Sequence, residues 1–289
     1  MGNLRTAMVA WLAARAAGEA FHLRIEDLDV GRVRPGIAAR QVADLAALGI
    51  DFDPPEMVQS ERLDAYAAAA ATLPTYRCFC TRREIAEAAS APHDGVRRYP
   101  GTCRDLTADQ QRDRARHRSP ALRVRADDVR WTAHDVRHGP VTEIVDDFVV
   151  RRGDGAWAYN LAVVVDDLAQ GVDEVVRGDD LLGSAPRQAW LAEQLGGPAP
   201  RYLHVALVVD AEGRRLAKRN GAVTLTDLAE MGRDVAAVRS ELAQSLGLAE
   251  AGEPVTMGDL LSRFDPTRVP IEPWMFLPPE PMGKVSVDV

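Results

Sequence analysis

Cysteine is scarce in this sequence, and its scarcity limits the kind of protein that the chain can be. The 289 residues contain three cysteines, an odd number, and all three fall between positions 78 and 103. A disulfide framework needs paired cysteines and an oxidising compartment, so this count argues against a secreted, cross-linked domain. We therefore expect a protein of a reducing compartment, the cytoplasm.

Long apolar runs and a targeting signal are also missing. No stretch approaches the roughly 18 apolar residues of a membrane span, and residues 1–15 lack the basic region, apolar core and cleavage site of a signal peptide. The net charge of −8 does not favour a general attraction to nucleic acid. Residues 81–125 differ, with eleven arginines against six acidic residues. They suit either a solvated basic face or a surface for RNA.

What the sequence does contain is a globular composition and one conspicuous loop. It is 46% hydrophobic and 27% charged, and its length suits one large domain, with or without appendages. Residues 205–210 predict a buried strand, and residues 213–222 read GRRLAKRNGA, with four cationic residues and two glycines. Glycines let backbone N–H groups approach phosphates, and Lys218 can stabilise charge that develops on them. The loop indicates nucleoside triphosphate binding, with a solvated basic turn as the alternative.

The N-terminal segments predict a helix and a strand that both end at polar groups. Residues 4–17 read as a helix stopped by Gly18. Gly2 and Asn3 lie at its N-terminus, where free N–H groups attract anions. Residues 21–29 (FHLRIEDLD) alternate as a strand does and end in three carboxylates. Open α/β sheets bind ligands at such strand ends, although acids facing water are an equal alternative.

Several other segments are predicted from the same periodicity, capping and turn signals. They are helices over residues 40–48, 60–71 (capped by Ser60) and 184–195, a turn at residues 51–55, a strand over residues 141–151, and a strand or helix over residues 156–167.

The cysteines have a spacing that suits a metal. Cys78 and Cys80 form Cys-x-Cys, and Cys103 follows 23 residues later. Together they offer three soft ligands to Zn²⁺ and leave one tetrahedral position open. Three small buried thiols are the alternative. His93 is a candidate fourth ligand on chemical grounds.

Five blocks in one order resemble the class I aminoacyl-tRNA synthetases of the glutamyl branch. They are residues 1–7 (MGNLRTA), 23–29 (LRIEDLD), 156–167 (AWAYNLAVVVDD), 175–181 (VVRGDDL) and 201–222. The last block resembles the family's lysine-bearing signature, with Ala217 where serine is usual. Of the family's His-x-Gly-Asn signature only Gly2 and Asn3 are present, so we expect the natural protein to begin upstream of Met1.

The resemblance implies an α/β fold, a Rossmann-type doubly wound parallel sheet with an inserted zinc-bearing subdomain. Residues 1–75 would form the first half of the catalytic domain, 76–125 the zinc-bearing insertion, 126–235 the second half with the lysine loop, and 236–289 a short helical and proline-rich tail. Such a tail is shorter than an anticodon-binding domain. We therefore expect the branch that modifies queuosine rather than the branch that charges tRNA(Glu).

The resemblance also assigns roles to individual residues. Glu26 is matched to the ammonium of glutamate, Arg177 to a carboxylate and Tyr159 to a hydrogen bond with the substrate. Gly2, Asn3 and Lys218 are matched to ATP, with Lys218 as the catalytic group. On the residues alone, Tyr159 could instead be a core tyrosine, and Arg177 could form a salt bridge with Asp179 or Asp180. The zinc ligands that the resemblance implies are Cys78, Cys80, Tyr99 and Cys103.

The implied activity has two steps. Glutamate is activated by ATP with Mg²⁺ without the help of tRNA, and the glutamyl group is then transferred to queuosine at the wobble position of tRNA(Asp). L-glutamate, ATP and tRNA(Asp) carrying queuosine are the implied partners, one Zn²⁺ is structural, and we expect a monomer with no membrane contact. The alternatives are a glutamyl-tRNA synthetase that charges tRNA(Glu) and a non-catalytic nucleotide- or RNA-binding relative.

Overall fold

The structure is a computed structural model that describes residues 1–29, 31, 33–81, 83–85, 98–216 and 224–277. Across these residues, none of the helices has the length and apolarity to cross a membrane. The helices are α1 Gly2–Ala17, α2 Ile37–Ala47, α3 Leu63–Thr72, α4 Ala108–His117, α5 Tyr159–Gln170, α6 Ala185–Gln194, α7 Leu225–Glu230, α8 Val235–Ser245 and α9 Met257–Arg263. Short 3-10 turns cover Gln59–Glu61, Asp179–Ser184 and Pro266–Arg268.

Among the described residues, the strands are short and form four separate hydrogen-bonded groups. They are β1 His22–Ile25, β2 Asp53–Val58, β3 Thr75–Cys78, β4 Ala121–Val124, β5 Val129–Asp135, β6 Gly139–Val145, β7 Val149–Arg151, β8 Glu174–Gly178, β9 Arg201–Val205, β10 Val208–Val209 and β11 Trp274–Met275. β1 pairs with β2 and β10 with β11, both in parallel. A four-stranded sheet has the order β6-β5-β9-β8, and an antiparallel sheet has the order β3-β4-β7.

The expectation of one doubly wound parallel sheet is therefore met only in part. β9 pairs in parallel with β5 and β8, but β5 and β6 are antiparallel neighbours. Residues 136–138 alone connect β5 to β6, and so short a connection can join only antiparallel strands, since parallel strands need a crossover. The fold is an α/β arrangement of mixed sheets, and the division of the chain into the four predicted segments stays a prediction.

Two segment predictions near β2 are wrong. Residues 51–55 were predicted as a turn, but β2 begins at Asp53 and contains both prolines. Proline is tolerated because β1 is the strand that β2 pairs with among the described residues, so β2 is an edge strand. Ser60 lies in a 3-10 turn and does not cap α3, which begins at Leu63. The Ser60 N–H instead donates to Asp27 at 2.8 Å.

Other predictions agree with the structure to different degrees. Helix α1 ends at Gly18, whose φ of 74° is the left-handed conformation that glycine adopts without strain. Residues 184–195 contain α6, and the apolar block after Ala156 is helix α5. The strand predicted over residues 141–151 is two strands, β6 and β7, because the intervening carboxylates turn inward to buried hydrogen-bond donors.

Helix α1 is anchored on one face by apolar burial and by one buried cation. Met8, Val9 and Leu12 are fully buried in the larger core cluster, and each contributes roughly 1.5–3 kcal/mol of transfer free energy. Arg5 is also fully buried. Its guanidinium donates to the carbonyl of Ala206 at 2.8 Å and to Ser245 in α8. Desolvation lowers the pKa of Arg5 to about 10. These contacts hold α1 beside the strands that carry the site.

Candidate active site and cysteine cluster

The three residues assigned to glutamate follow or lie in β1, α5 and β8. Glu26 directly follows β1 and is exposed, Tyr159 begins α5 and is 43% exposed, and Arg177 lies in β8. Partial burial and the negative charge of Glu26 raise the pKa of Tyr159, whereas the positive charge of Arg177 opposes the rise. The charges of Glu26 and Arg177 thus both act on Tyr159, and we refer to these three side chains as the polar cluster. The exposure of Tyr159 excludes its reading as a core tyrosine.

Arg24 contacts this cluster and is a residue that the sequence reasoning missed. Its guanidinium contacts Asp167 of α5 at 2.6 Å and Glu26 at 3.2 Å. Burial alone would lower the pKa of Arg24. The negative charges of Asp167 and Glu26 outweigh burial, so the pKa of Arg24 is raised. The period of two along β1 was an available signal, because it puts Arg24 and Glu26 on one face of the strand. Arg24 holds Glu26 while leaving this carboxylate exposed to a ligand.

The hydrogen bonds of Arg177 go to uncharged acceptors rather than to the acidic residues that follow it. Its Nε donates to His204 at 3.0 Å, its Nη1 to the side-chain oxygen of Gln188, and its Nη2 to the carbonyl of Leu181 at 3.1 Å. Asp180, one of the two carboxylates considered as its partner, contacts Arg215. The fixed guanidinium therefore keeps its positive charge available to an anion.

His204 connects Arg177 to a buried carboxylate. Its Nδ1 lies 2.7 Å from Asp135, whose other oxygen accepts the N–H groups of Arg137 and His138 at 2.8 Å. Burial alone would raise the pKa of Asp135, but the bond from His204 and these backbone bonds outweigh it and lower the pKa. Asp135 is therefore a stable anion inside the sheet.

The residues assigned to ATP lie partly outside the described residues. Gly2 and Asn3 form the first turn of α1, and Asn3 is exposed. A side-chain carbon built on Gly2 would lie 3.9 Å from Val208, so the N-terminus of α1 adjoins β10, the strand before the lysine loop. Lys218 and Ala217 belong to residues 217–223, which the structure does not describe.

The described start of that loop is already committed to ion pairs. Arg214 contacts Asp210 at 3.0 Å and Glu212 at 2.7 Å, and Arg215 contacts Asp180. Of the four cations that suggested a polyanion site, two are therefore partly neutralised within the protein. This finding shifts the expected phosphate contact to Lys218 and the residues after it.

The three cysteines converge, as their spacing predicted. Their Sγ atoms lie within 4.8 Å of one another, and Cys80 and Cys103 are 3.5 Å apart. The Tyr99 hydroxyl lies 3.4 Å from Cys78 and accepts the N–H of Cys103 at 2.9 Å. Three sulfurs and one oxygen thus face a common centre, a donor set that fits a tetrahedral cation. His93 lies outside the described residues.

The arginine-rich segment is largely engaged with acidic partners of its own. Arg104 contacts Asp127 and Asp147, and ion pairs also engage Arg112, Arg118 and Arg125. The exposed pairs among them, such as Arg112 with Asp109, contribute little to stability and can exchange partners. The segment is therefore a surface on which arginines form ion pairs with acidic residues, and its binding of RNA stays a prediction.

Comparisons with known proteins agree with this architecture. Residues 1–277 match the family of class I tRNA synthetases (E and Q), catalytic domain. The chain therefore belongs to this family of glutamyl- and glutaminyl-type class I synthetases.

Two relatives define the likeness more closely. The chain is 55% identical to a glutamyl-Q tRNA(Asp) synthetase of Nocardia farcinica, with 95% of this chain and 88% of that protein covered. It is 50% identical to the protein of the same name from Cutibacterium acnes, with 98% and 82% covered.

Solved structures agree on the fold. A glutamate tRNA ligase from Elizabethkingia meningosepticum superposes with a TM-score of 0.77 at 24% identity, over 96% of this chain and 64% of that chain. A glutamate-tRNA synthetase from Elizabethkingia anophelis gives 0.78, over 96% and 65%. This chain thus spans slightly less than two thirds of these solved ligases.

Proposed function

We propose that the protein activates glutamate with ATP and transfers it to queuosine in tRNA(Asp). The observation that carries the proposal is the similarity, across nearly the whole chain, to proteins named glutamyl-Q tRNA(Asp) synthetase. The polar cluster supports it, because an exposed carboxylate and an arginine with uncharged hydrogen-bond acceptors suit the opposite ends of an amino acid.

In the first step a carboxylate oxygen of glutamate attacks the α-phosphorus of ATP, and pyrophosphate leaves. Glu26 binds the ammonium group, Arg177 binds one carboxylate through its fork of N–H groups, and Tyr159 donates a hydrogen bond. Lys218 stabilises the charge that builds on the phosphates, with Gly2 and Asn3 beside them at the α1 N-terminus. Mg²⁺ accompanies ATP.

In the second step a hydroxyl oxygen of the queuosine cyclopentenediol attacks the activated carbonyl carbon. An ester forms, AMP leaves, and the hydroxyl proton passes to solvent. One Zn²⁺, held by Cys78, Cys80, Tyr99 and Cys103, would stabilise the fold of the insertion and take no part in the reaction.

The test has two assays on the purified chain. Glutamate-dependent ATP–pyrophosphate exchange without tRNA measures activation, and labelled glutamate measures transfer to tRNA(Asp) with queuosine, tRNA(Asp) with guanosine at the same position, and tRNA(Glu). The proposal expects exchange, and transfer to the first tRNA alone. Charging of tRNA(Glu) would point to a tRNA-charging synthetase, and ATP binding without exchange to a non-catalytic relative.

A further inference from the structure

A buried polar chain crosses three neighbouring strands and ends at Arg177, a residue of the proposed glutamate site. Asp135 ends β5, His204 lies in β9, and Arg177 lies in β8, opposite His204 in the strand register. Their exposed fractions are 6%, 0% and 8%. Buried charge is costly unless its hydrogen bonds are complete, so the arrangement of protons in this chain is narrowly determined.

The donor and acceptor roles follow from chemistry. A guanidinium can only donate, so the Arg177 Nε–H, at 3.0 Å, requires a lone pair on His204 Nε2. The proton of His204 then lies on Nδ1 and is donated to Asp135 at 2.7 Å. Asp135 also accepts the backbone N–H of His204 at 2.9 Å. His204 is thus a neutral imidazole in one tautomer.

The same hydrogen bonds determine how many N–H donors of Arg177 remain for a ligand. A guanidinium has five N–H donors. Three of them are used, by His204, Gln188 and the Leu181 carbonyl, and all three acceptors are uncharged. One N–H remains on each terminal nitrogen, which matches the two oxygens of a carboxylate. The ring of Tyr202, with its centroid 5.1 Å from the guanidinium carbon, further restricts the plane.

We infer that His204, fixed by Asp135, is a positioning residue that sets the plane of Arg177 for the carboxylate of glutamate. A neutral acceptor suits this task better than a carboxylate, because it orients the guanidinium without neutralising it. The inference rests on the proposed function, which assigns Arg177 to glutamate. It adds two residues, His204 and Asp135, to the machinery that recognises the amino acid.

Two substitutions test the hydrogen bonds of the two ring nitrogens of His204 separately. In His204→Asn the amide nitrogen is near the old Nδ1 and can still donate to Asp135, but the side chain cannot reach Arg177. In His204→Gln the longer side chain can offer an oxygen to Arg177. In pyrophosphate exchange we expect His204→Asn to raise the KM for glutamate about 10- to 100-fold, the scale of one hydrogen bond to a charged group. The KM for ATP should change little, and His204→Gln should recover most of the loss.

Control variants distinguish this inference from the proposed function. His134→Asn changes an exposed histidine of β5 and should leave both KM values unchanged. Arg177→Lys should raise the KM for glutamate, and His204→Asn should add little in that background, because its effect passes through Arg177. If Arg177→Lys alone has no effect, the role of Arg177 in the proposed function fails and the inference with it. If Arg177→Lys is impaired but His204→Asn is not, only the inference fails.

A second measurement does not depend on activity or on a variant that folds. Nitrogen-15 NMR of the wild-type chain labelled in histidine reports the state of both ring nitrogens of His204. We expect a protonated Nδ1 and an unprotonated Nε2 at neutral pH. A ring protonated on Nε2 could not accept from Arg177 and would overturn the inference.

Discussion

The backbone N–H of Tyr99 donates a hydrogen bond of 2.8 Å to a carboxylate oxygen of Asp146. The other oxygen of Asp146 accepts from Arg187 of α6 at 2.7 Å. The next residue of α6, Gln188, is an acceptor for Arg177. The cysteine cluster and the proposed glutamate site are therefore attached to the same helix.

The first prediction concerns this attachment. Asp146→Asn leaves Tyr99 with a neutral acceptor and puts an amide donor towards Arg187. We expect affinity for zinc to fall about 10- to 100-fold, the usual cost of losing a group that orients a ligand. Competition with a chromogenic chelator measures it. Asp128→Asn removes an exposed carboxylate of the β4–β5 turn and should leave the affinity unchanged; equal losses in both variants would contradict the prediction.

The second prediction concerns the metal itself. We expect elemental analysis to find about one zinc per chain, and Cys80→Ser to abolish it and lower the unfolding temperature, because metal binding contributes free energy of folding. Tyr99→Phe should weaken zinc binding while keeping the ring in place. A wild-type protein purified without metal, and insensitive to chelators, would refute the zinc assignment.

The third prediction compares two tyrosines. Tyr66 donates at 2.8 Å to Asp166, a fully buried carboxylate that also accepts from Gln59 and Arg62. Tyr66→Phe removes one of the three donors and should lower the free energy of unfolding by about 1–3 kcal/mol. Tyr159→Phe should cost less than about 0.5 kcal/mol yet raise the KM for glutamate. Urea unfolding and pyrophosphate exchange are measured on both variants. A larger loss of stability in Tyr159→Phe than in Tyr66→Phe, or a raised KM for glutamate in Tyr66→Phe alone, would contradict the prediction.

The fourth prediction is a dependence on pH. Burial would raise the pKa of Asp147, but hydrogen bonds from Tyr76 and the Ala126 N–H and the charge of Arg104 lower it below its ordinary 3.8. A carboxyl with a depressed folded pKa adds stability that is complete above its unfolded pKa and is lost as the pH falls through the folded value. Wild type should therefore be more stable than Asp147→Asn at pH 7.

The advantage of the wild type should shrink as the pH drops below about 4. Unfolding midpoints between pH 3 and 7 give this difference. Glu56→Gln, at an exposed carboxylate of β2, serves as the control and should show a small difference at every pH. A gap between wild type and Asp147→Asn that is constant with pH would show that Asp147 does not titrate with a shifted pKa.

The fifth prediction exploits a rare residue. The sequence has two lysines, Lys218 and Lys284. Lys218→Ala should slow pyrophosphate exchange about 100-fold or more, because it removes a group that stabilises transition-state charge, and Lys284→Ala should not. Mass spectrometry after brief acetylation gives a second readout. ATP should protect Lys218 and not Lys284, and equal protection would count against the catalytic assignment.

Local signals predicted the helices well and the strand pairings poorly. Helix α1 with its Gly18 stop and helix α6 follow from composition and end signals, which act within a few residues. The two prolines of β2 were interpreted as a turn. A strand tolerates proline when it lies at the edge of a sheet, and no local sequence pattern shows whether a strand is an edge strand. The antiparallel pairing of β5 with β6 is likewise a property of the assembled sheet.

The site residues likewise divide into those that local sequence signals predicted and those that they did not. Glu26, Tyr159 and Arg177 were predicted because they lie in recognisable blocks, and the cysteines because of their spacing; the substrate roles of the first three stay predictions. The pairing of Asp135 with His204 was not predicted, because 69 residues separate them in the chain and Asp135 lies in none of the five blocks. Their role arises only when β5, β8 and β9 adjoin, and the burial that makes them informative cannot be read from single residues.

The buried guanidinium of Arg5 has a consequence for synthesis of the chain. Its partner Ser245 lies 240 residues downstream. Ribosomes add about 5–20 residues per second, so the interval between the two residues is on the order of ten to fifty seconds. During that time at least one of the final acceptors of the Arg5 guanidinium has not yet been synthesised. The docking of α1 must therefore be a late event, and the nascent chain has to keep an apolar helix face from aggregation until α8 emerges.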